Sequence, residues 1–255
     1  MPVRLLSSVL LSVLASAVLL VSLPTPEAGA RTRRELPERY KKPPFSLMSL
    51  SVGHPNAGWQ VRAKKLRDTR YLKVRPSSEK RSYAHPALVL MLQRSARDIG
   101  KMAPGAKMFV GDLSYEHGGP ISGHRSHQSG RDADLAFYMK DKNGKRVPSP
   151  RFVAFDGDGK ARDGSGYVFD DELNWLLVQS WARDTRAGLS HIFISRPLRL
   201  RLIRFAQRNP HYRKYLPQAQ ALLKQPERGE PHDDHFHVRI TCPKGQEDIC
   251  RPNPR

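Results

Sequence analysis

The chain reads as an α+β protein, a small antiparallel sheet flanked by helices and long loops, and three observations predict it. Ala133, Leu135 and Phe137 alternate with Asp132 and Asp134, and Phe236, Val238 and Ile240 alternate with His235, His237 and Arg239, so each segment makes a strand with one apolar and one polar face. Other stretches repeat their apolar residues at helical spacing. The 18 glycines and 21 prolines divide the chain between these stretches into short elements.

In chain order, residues 31–80 are rich in Pro, Arg and Lys with little periodicity and read as a loop-rich basic segment, with Phe45 to Val52 as an edge strand. His85-Pro86 opens a helix on which Leu88, Met91, Leu92, Ser95 and Ile99 share one face, with Gly100 as its stop. Met108 to Asp112 reads as a short buried strand leading to Gly118-Gly119-Pro120. Asp156-Gly157-Asp158-Gly159-Lys160 lacks the acidic residues that a calcium loop needs at its fifth and twelfth positions, so it is a surface turn. Asp170 or Asp171 caps a helix carrying Leu173, Leu176, Leu177 and Trp181. Ile192 to Ser195 is a buried strand, and Pro197 starts a basic amphipathic helix whose arginines form a solvated face. A short helix over Tyr212 to Leu223 and the strand His235 to Ile240 complete the order.

Arg4, the apolar run Leu5 to Leu23, the breakers Pro24 and Pro26, and the small residues Ala28-Gly29-Ala30 have the layout of a cleaved signal peptide over 1–30. Export to the periplasm follows, with no stable membrane insertion after cleavage. The two cysteines, Cys242 and Cys250, then stand in an oxidising compartment and read as a disulfide that pins the C-terminal tail. Residues 31–255 keep the whole formal charge of +20, because Arg4 and Glu27 cancel. Such a bias favours an acidic polymer as partner, and charge alone does not choose among nucleic acid, anionic lipid and cell wall. Residues 81–255 form the single domain that carries the chemistry.

Five of the ten histidines fall in two clusters about 100 residues apart, His124 and His127 with Asp132 and Asp134, then His232, His235 and His237. Neutral imidazole and carboxylate are the ligands a catalytic zinc takes, with three protein ligands and one open position. Alternation places Asp132 and Asp134 on one strand face, and His235, His237 and Arg239 on one face of another. Residue chemistry supplies these candidates without ranking them.

The pattern Gly123-His124-x-Ser126-His127-Gln128-x-Gly130-x-Asp132-x-Asp134, followed by His232-x-x-His235-x-His237 and the cysteine pair, resembles the penicillin-insensitive murein endopeptidases. These are zinc metallopeptidases of the group that includes lysostaphin-type enzymes, D-alanyl-D-alanine peptidases and the hedgehog domain. The resemblance covers about residues 80 to 250 and implies a sheet of that group's type carrying a zinc site. It implies zinc held by His127, Asp134 and His237, with His235 as general base and His232 lining the site; either His235 or His232 could then protonate the leaving amine. His124 and Asp132 would line or orient the site. The implied substrate is peptidoglycan, cut at the D-alanyl to meso-diaminopimelyl cross-link, with no acyl-enzyme for β-lactams to trap.

Other classes fit less well. Ser77-Ser78-Glu79-Lys80 satisfies Ser-x-x-Lys, yet the chain has no Ser-x-Asn or Lys-Thr-Gly to complete a serine peptidase. A secreted basic nuclease or nucleic-acid-binding protein would interleave aromatics with its basic runs, which this chain does not, so no nucleic-acid partner is expected. A non-catalytic zinc-binding wall protein would have no need of His235.

Overall fold

The computed structural model describes residues 35–226 and 230–252. The expected signal peptide at 1–30 lies outside the described residues. Among the described residues no helix is long and apolar enough to cross a membrane.

A six-stranded sheet organises the molecule. With β1 (Leu50–His54) and β2 (Ala57–Val61) forming a separate hairpin, the sheet consists of β3 (Leu72–Val74), β4 (Met108–Val110), β5 (Asp132–Ala136), β6 (Leu189–Phe193), β7 (Leu223–Lys224) and β8 (His235–Ile240). Its order is β7-β6-β8-β5-β4-β3. The four central strands are antiparallel, as expected, while both outer pairs, β7 with β6 and β3 with β4, are parallel. The architecture is mixed α+β.

Helices cover one face. The helix α1 (Pro86–Met102) begins at His85, whose Nδ1 accepts the backbone N–H of Ala87, and α2 (Asp171–Arg183) begins at Asp170, whose carboxylate accepts from Leu173. These side chains satisfy N–H groups that the first helical turn leaves without partners. Trp181 of α2 donates to Ser95 of α1 at 3.1 Å and packs edge-on against Phe236 of β8, so both helices sit on the apolar face of the central strands. Leu135, Phe236 and Val238 are fully buried there. Each contributes about 1.5–3 kcal/mol by leaving water. The basic helix α3 (Arg196–Arg208) presents Leu198, Leu202, Ile203 and Ala206 to the same core.

The run Tyr212 to Leu223, expected as one helix, is a 3-10 segment Pro210–Tyr215 followed by α4 (Leu216–Leu222). Pro217 explains the division, since its ring has no N–H to continue the hydrogen-bond ladder.

The β1–β2 hairpin and the C-terminal loop close the other face. Expected as one edge strand, Phe45 to Val52 is instead a 3-10 turn, Phe45–Leu47, leading into β1. Ser51 Oγ donates to the Ser129 carbonyl at 2.7 Å, Gln60 Nε2 donates to the Tyr115 carbonyl at 2.7 Å, and the Gln128 N–H donates to the Pro55 carbonyl at 2.9 Å. The hairpin therefore clamps the glycine-rich loop between β4 and β5. Cys242 and Cys250 form a disulfide. The buried guanidinium of Arg131 donates to the Gly53 and Arg251 carbonyls and to Cys242 Sγ, tying that loop to the start of β5.

Candidate metal centre

Register brings the two clusters together. β8 pairs with β5 so that His237 lies opposite Asp134, and Arg239 opposite Asp132. A one-residue slip of β8 would turn His237 and Arg239 to the helix-covered face and away from Asp134 and Asp132, so the apolar alternation that fixes the core also fixes the site. Asp132, Asp134, His127, His237 and Arg239 are all buried. The covering layer is the 113–131 loop, held by the hairpin.

That loop bends sharply. Gly130 has φ of 72°, and a Cβ there would come within 1.8 Å of Gln60 Oε1, so any other residue would strain the backbone and displace the Gln60 side chain. His127 (φ 69°) and His232 (φ 55°) also take the left-handed conformation, which costs a non-glycine residue about 1–2 kcal/mol. Both are histidines of the two clusters, and strain of this kind concentrates where geometry serves a site.

All five cluster imidazoles share one arrangement. Each has one ring nitrogen committed to an oxygen acceptor on the outside. His127 Nδ1 donates to the Leu113 carbonyl at 2.7 Å, and His124 Nε2 to Asp112 at 3.0 Å. His237 Nε2 donates to Asp132 at 2.8 Å, His235 Nδ1 to Asp234 at 2.5 Å, and His232 Nδ1 to the Glu230 carbonyl at 2.8 Å. The second nitrogen of each neutral ring is then bare and turned inward. His127 Nε2 lies 3.2 Å, His235 Nε2 3.4 Å and His237 Nδ1 3.6 Å from one atom, Asp134 Oδ1. His124 Nδ1 lies 3.7 Å from the other oxygen, Oδ2. His232 Nε2 faces His237 Nδ1 at 3.4 Å.

Bare nitrogens aimed at each other and at one carboxylate repel unless a positive charge sits among them. His127 Nε2 and Asp134 Oδ1 are both sealed from water with no hydrogen-bond partner among the described residues. Unpartnered buried acceptors of this kind carry a desolvation cost of about 1–3 kcal/mol each. Either protons or a metal cation can supply the charge. Atoms of His124, His127 and Asp134 all lie within 4.8 Å of one another, close enough for one ion.

The electrostatics express the same demand. Burial opposes ionisation of Asp134, yet His127 and His235 outweigh it and hold its carboxyl well below the usual range. Burial also opposes charge on His235, and Asp134 with Asp234 overcome it, pushing the ring up to about 10. His237 goes the other way, down to about 4, through burial and despite its bond to Asp132. Asp132 stays ionised between Arg239 and His237. A cation beside Asp134 would do the work that protons on His235 and His127 otherwise do.

Sequence reasoning missed three supports. Asp112 accepts from His124, from Arg75 at 3.0 Å and from Arg81 at 2.8 Å, but at the end of a short strand nothing marked it. Asp234 stood between the histidines with no assigned role, and it bonds His235. Phe152 stacks on His235 with centroids 4.8 Å apart and an 18° tilt, with the guanidinium of Arg75 5.2 Å from its centroid. A Cβ on Gly111 would meet the Phe152 ring at 2.5 Å, so glycine makes room for it.

Fold and site together define a mixed α+β protein with a buried imidazole–carboxylate cluster able to hold a metal ion. Residues 51–255 match the family described as penicillin-insensitive murein endopeptidase, and the chain belongs to that family. It is 30% identical over 179 residues to a penicillin-insensitive murein endopeptidase of Haemophilus influenzae, covering 64% of this chain and 53% of that protein. A protein of the same name from Escherichia coli O1:K1 is 27% identical over 178 residues, covering 68% of this chain and 59% of the relative. The aligned region is thus between half and three-fifths of each relative's length.

Proposed function

We propose that this protein is a zinc-dependent murein endopeptidase of the periplasm, hydrolysing the D-alanyl to meso-diaminopimelyl cross-link of peptidoglycan. The observation that carries the reading is the set of five imidazoles, each tied outward through one nitrogen and turned inward with the other around Asp134. A donor set of two imidazoles and a carboxylate suits zinc. The family resemblance assigns His127, Asp134 and His237 as its holders, and the inward nitrogens of both rings approach Asp134 Oδ1, at 3.2 and 3.6 Å, whereas His124 meets Oδ2 at 3.7 Å. When bound there, zinc supplies Lewis acidity for activating water and polarising the scissile carbonyl.

The remaining work falls to this chain's own side chains. Asp132 fixes His237 through Nε2, the carboxylate–histidine arrangement that orients a ligand ring and raises its basicity. His235, held at Nδ1 by Asp234 and backed by Phe152, keeps Nε2 facing the cluster and takes the proton from the attacking water. That proton then passes to the leaving amine from His235 itself or by way of His232, whose Nε2 also faces inward. The excess of Lys and Arg suits a polymer bearing free carboxylates. Export through the N-terminal signal agrees with the disulfide.

Incubating the purified protein with cross-linked muropeptide dimers tests this. Release of monomers, stopped by a chelator and restored by zinc, is the expected result. Release that persists in chelator, or cleavage of DNA with no cleavage of dimers, overturns it.

A further inference from the structure

From Thr185 to Pro226 the chain carries nine Lys or Arg and no Asp or Glu. This stretch folds as β6, α3, the 3-10 segment Pro210–Tyr215, α4 and β7. Two of the nine are neutralised within 4 Å, Arg201 by Asp171 and Arg186 by Asp184. Among the described residues the other seven have no carboxylate within that distance. Arg204, Arg208 and Arg213 are exposed.

The surface is also concave. A hollow of about 380 Å³ and an adjoining one of about 240 Å³ share Asp171, Arg201, Phe205 and Asn209. Phe205 and Tyr212 stack in the first at 5.3 Å, offering an aromatic wall, and Arg204 and Arg208 line the second. The acidic groups that reach the groove from other elements are Asp158, Asp171 and Glu172. Asp171 is engaged by Arg201, and Glu172 by Arg146 and Tyr212. The groove is set apart from the metal centre but joined to it. The Ser195 N–H, at the start of α3, donates to the His232 carbonyl at 2.9 Å, and a Cβ on Gly157 of the groove wall would lie 3.2 Å from Pro197.

We propose that the groove along α3, with its basic rim, is a second holding site that grips the carboxylate-bearing wall polymer away from the cleavage site. The inference rests on the murein reading. Guanidinium groups with no carboxylate beside them complement the free carboxylates of stem peptides, and a flat aromatic wall beside polar side chains suits sugar rings. Holding the insoluble polymer at a second place raises the local concentration of cross-links at the site without adding any contact to the scissile bond.

Arg204→Glu/Arg208→Glu tests it, with Arg204→Gln/Arg208→Gln as the milder pair. Both residues are exposed and belong to no part of the metal cluster. Wild-type protein should sediment with purified wall sacculi, and the Glu pair should lose about tenfold in affinity, equal to about 1.4 kcal/mol. Turnover of a soluble muropeptide dimer should stay within about twofold of wild type, because neither substitution touches a residue of the metal cluster. Amidating the sacculus carboxylates should weaken the wild type as much as the Glu pair does. Undiminished sacculus binding by the Glu pair overturns the proposal, as does binding to phosphatidylglycerol vesicles in place of sacculi. Failure of the murein reading would show differently, as a dimer that neither protein cuts.

Discussion

Replacing Asp132 with Asn removes one charge and almost no volume, at a position that is fully buried and bonded to both His237 and Arg239. Arg239 is only 6% exposed and its Nε lies 2.5 Å from Asp132 Oδ1, so the change leaves a buried guanidinium without its partner. Breaking such a pair from one side costs about 3–5 kcal/mol, and since Asn keeps an acceptor oxygen the expected loss is near the lower end, about 3 kcal/mol. His237 loses its charged acceptor as well, which lowers metal affinity by about 10- to 100-fold. Urea denaturation in chelator and again in excess zinc separates the two effects. In chelator the variant should lose about 3 kcal/mol, and the extra stability conferred by zinc should shrink by about 1.4–2.7 kcal/mol. Adding Arg239→Met should recover most of the chelator loss, since no charge is then left unpaired. A variant within about 0.5 kcal/mol of wild type in chelator, with an undiminished zinc increment, would refute the buried ion-pair argument.

Three further outcomes are expected. Phe152→Ala should lower kcat by about 10- to 100-fold with unchanged metal content, because the ring that orients His235 is gone, while Phe152→Tyr should recover most of it; single-turnover assays on dimers decide this. His85 caps α1 with an unprotonated Nδ1, and burial lowers its pKa to about 4. The unfolded chain therefore binds the proton more readily, and the stabilisation present above the unfolded value of about 6.5 is lost as pH falls towards about 4. Between pH 7.5 and 5 this amounts to about 2 kcal/mol, and His85→Asn, which keeps a cap acceptor without titrating, should lose that much less over the same range in urea titrations. Replacing both Cys242 and Cys250 by Ser opens a loop of sequence separation 8. The chain-entropy cost is about 2.5 kcal/mol, measured by the same denaturation.

The parts of the site legible in the sequence were those carried by period two. Asp132 and Asp134 sit opposite Arg239 and His237 because the apolar residues between them had to face the same core. The capped helices at His85 and Asp170 were equally readable, as local side-chain chemistry sets them. The hairpin from Leu50 to Val61 was not, since its reasons for forming are distant: Ser51 bonds Ser129 and Gln246, and Gln60 bonds Tyr115. Phe152 and Asp112 gave no signal either. A lone aromatic in a loop and a single acid after a short strand acquire meaning only when the fold lays them against His235 and His124.

Metal content tests the central claim most directly. After loading with zinc and desalting, the wild type and His124→Ala should each retain about one ion per chain, while His127→Ala, Asp134→Ala and His237→Ala should retain less than about 0.2. Wild-type occupancy in His127→Ala or His237→Ala would contradict the account, and so would its loss in His124→Ala alone.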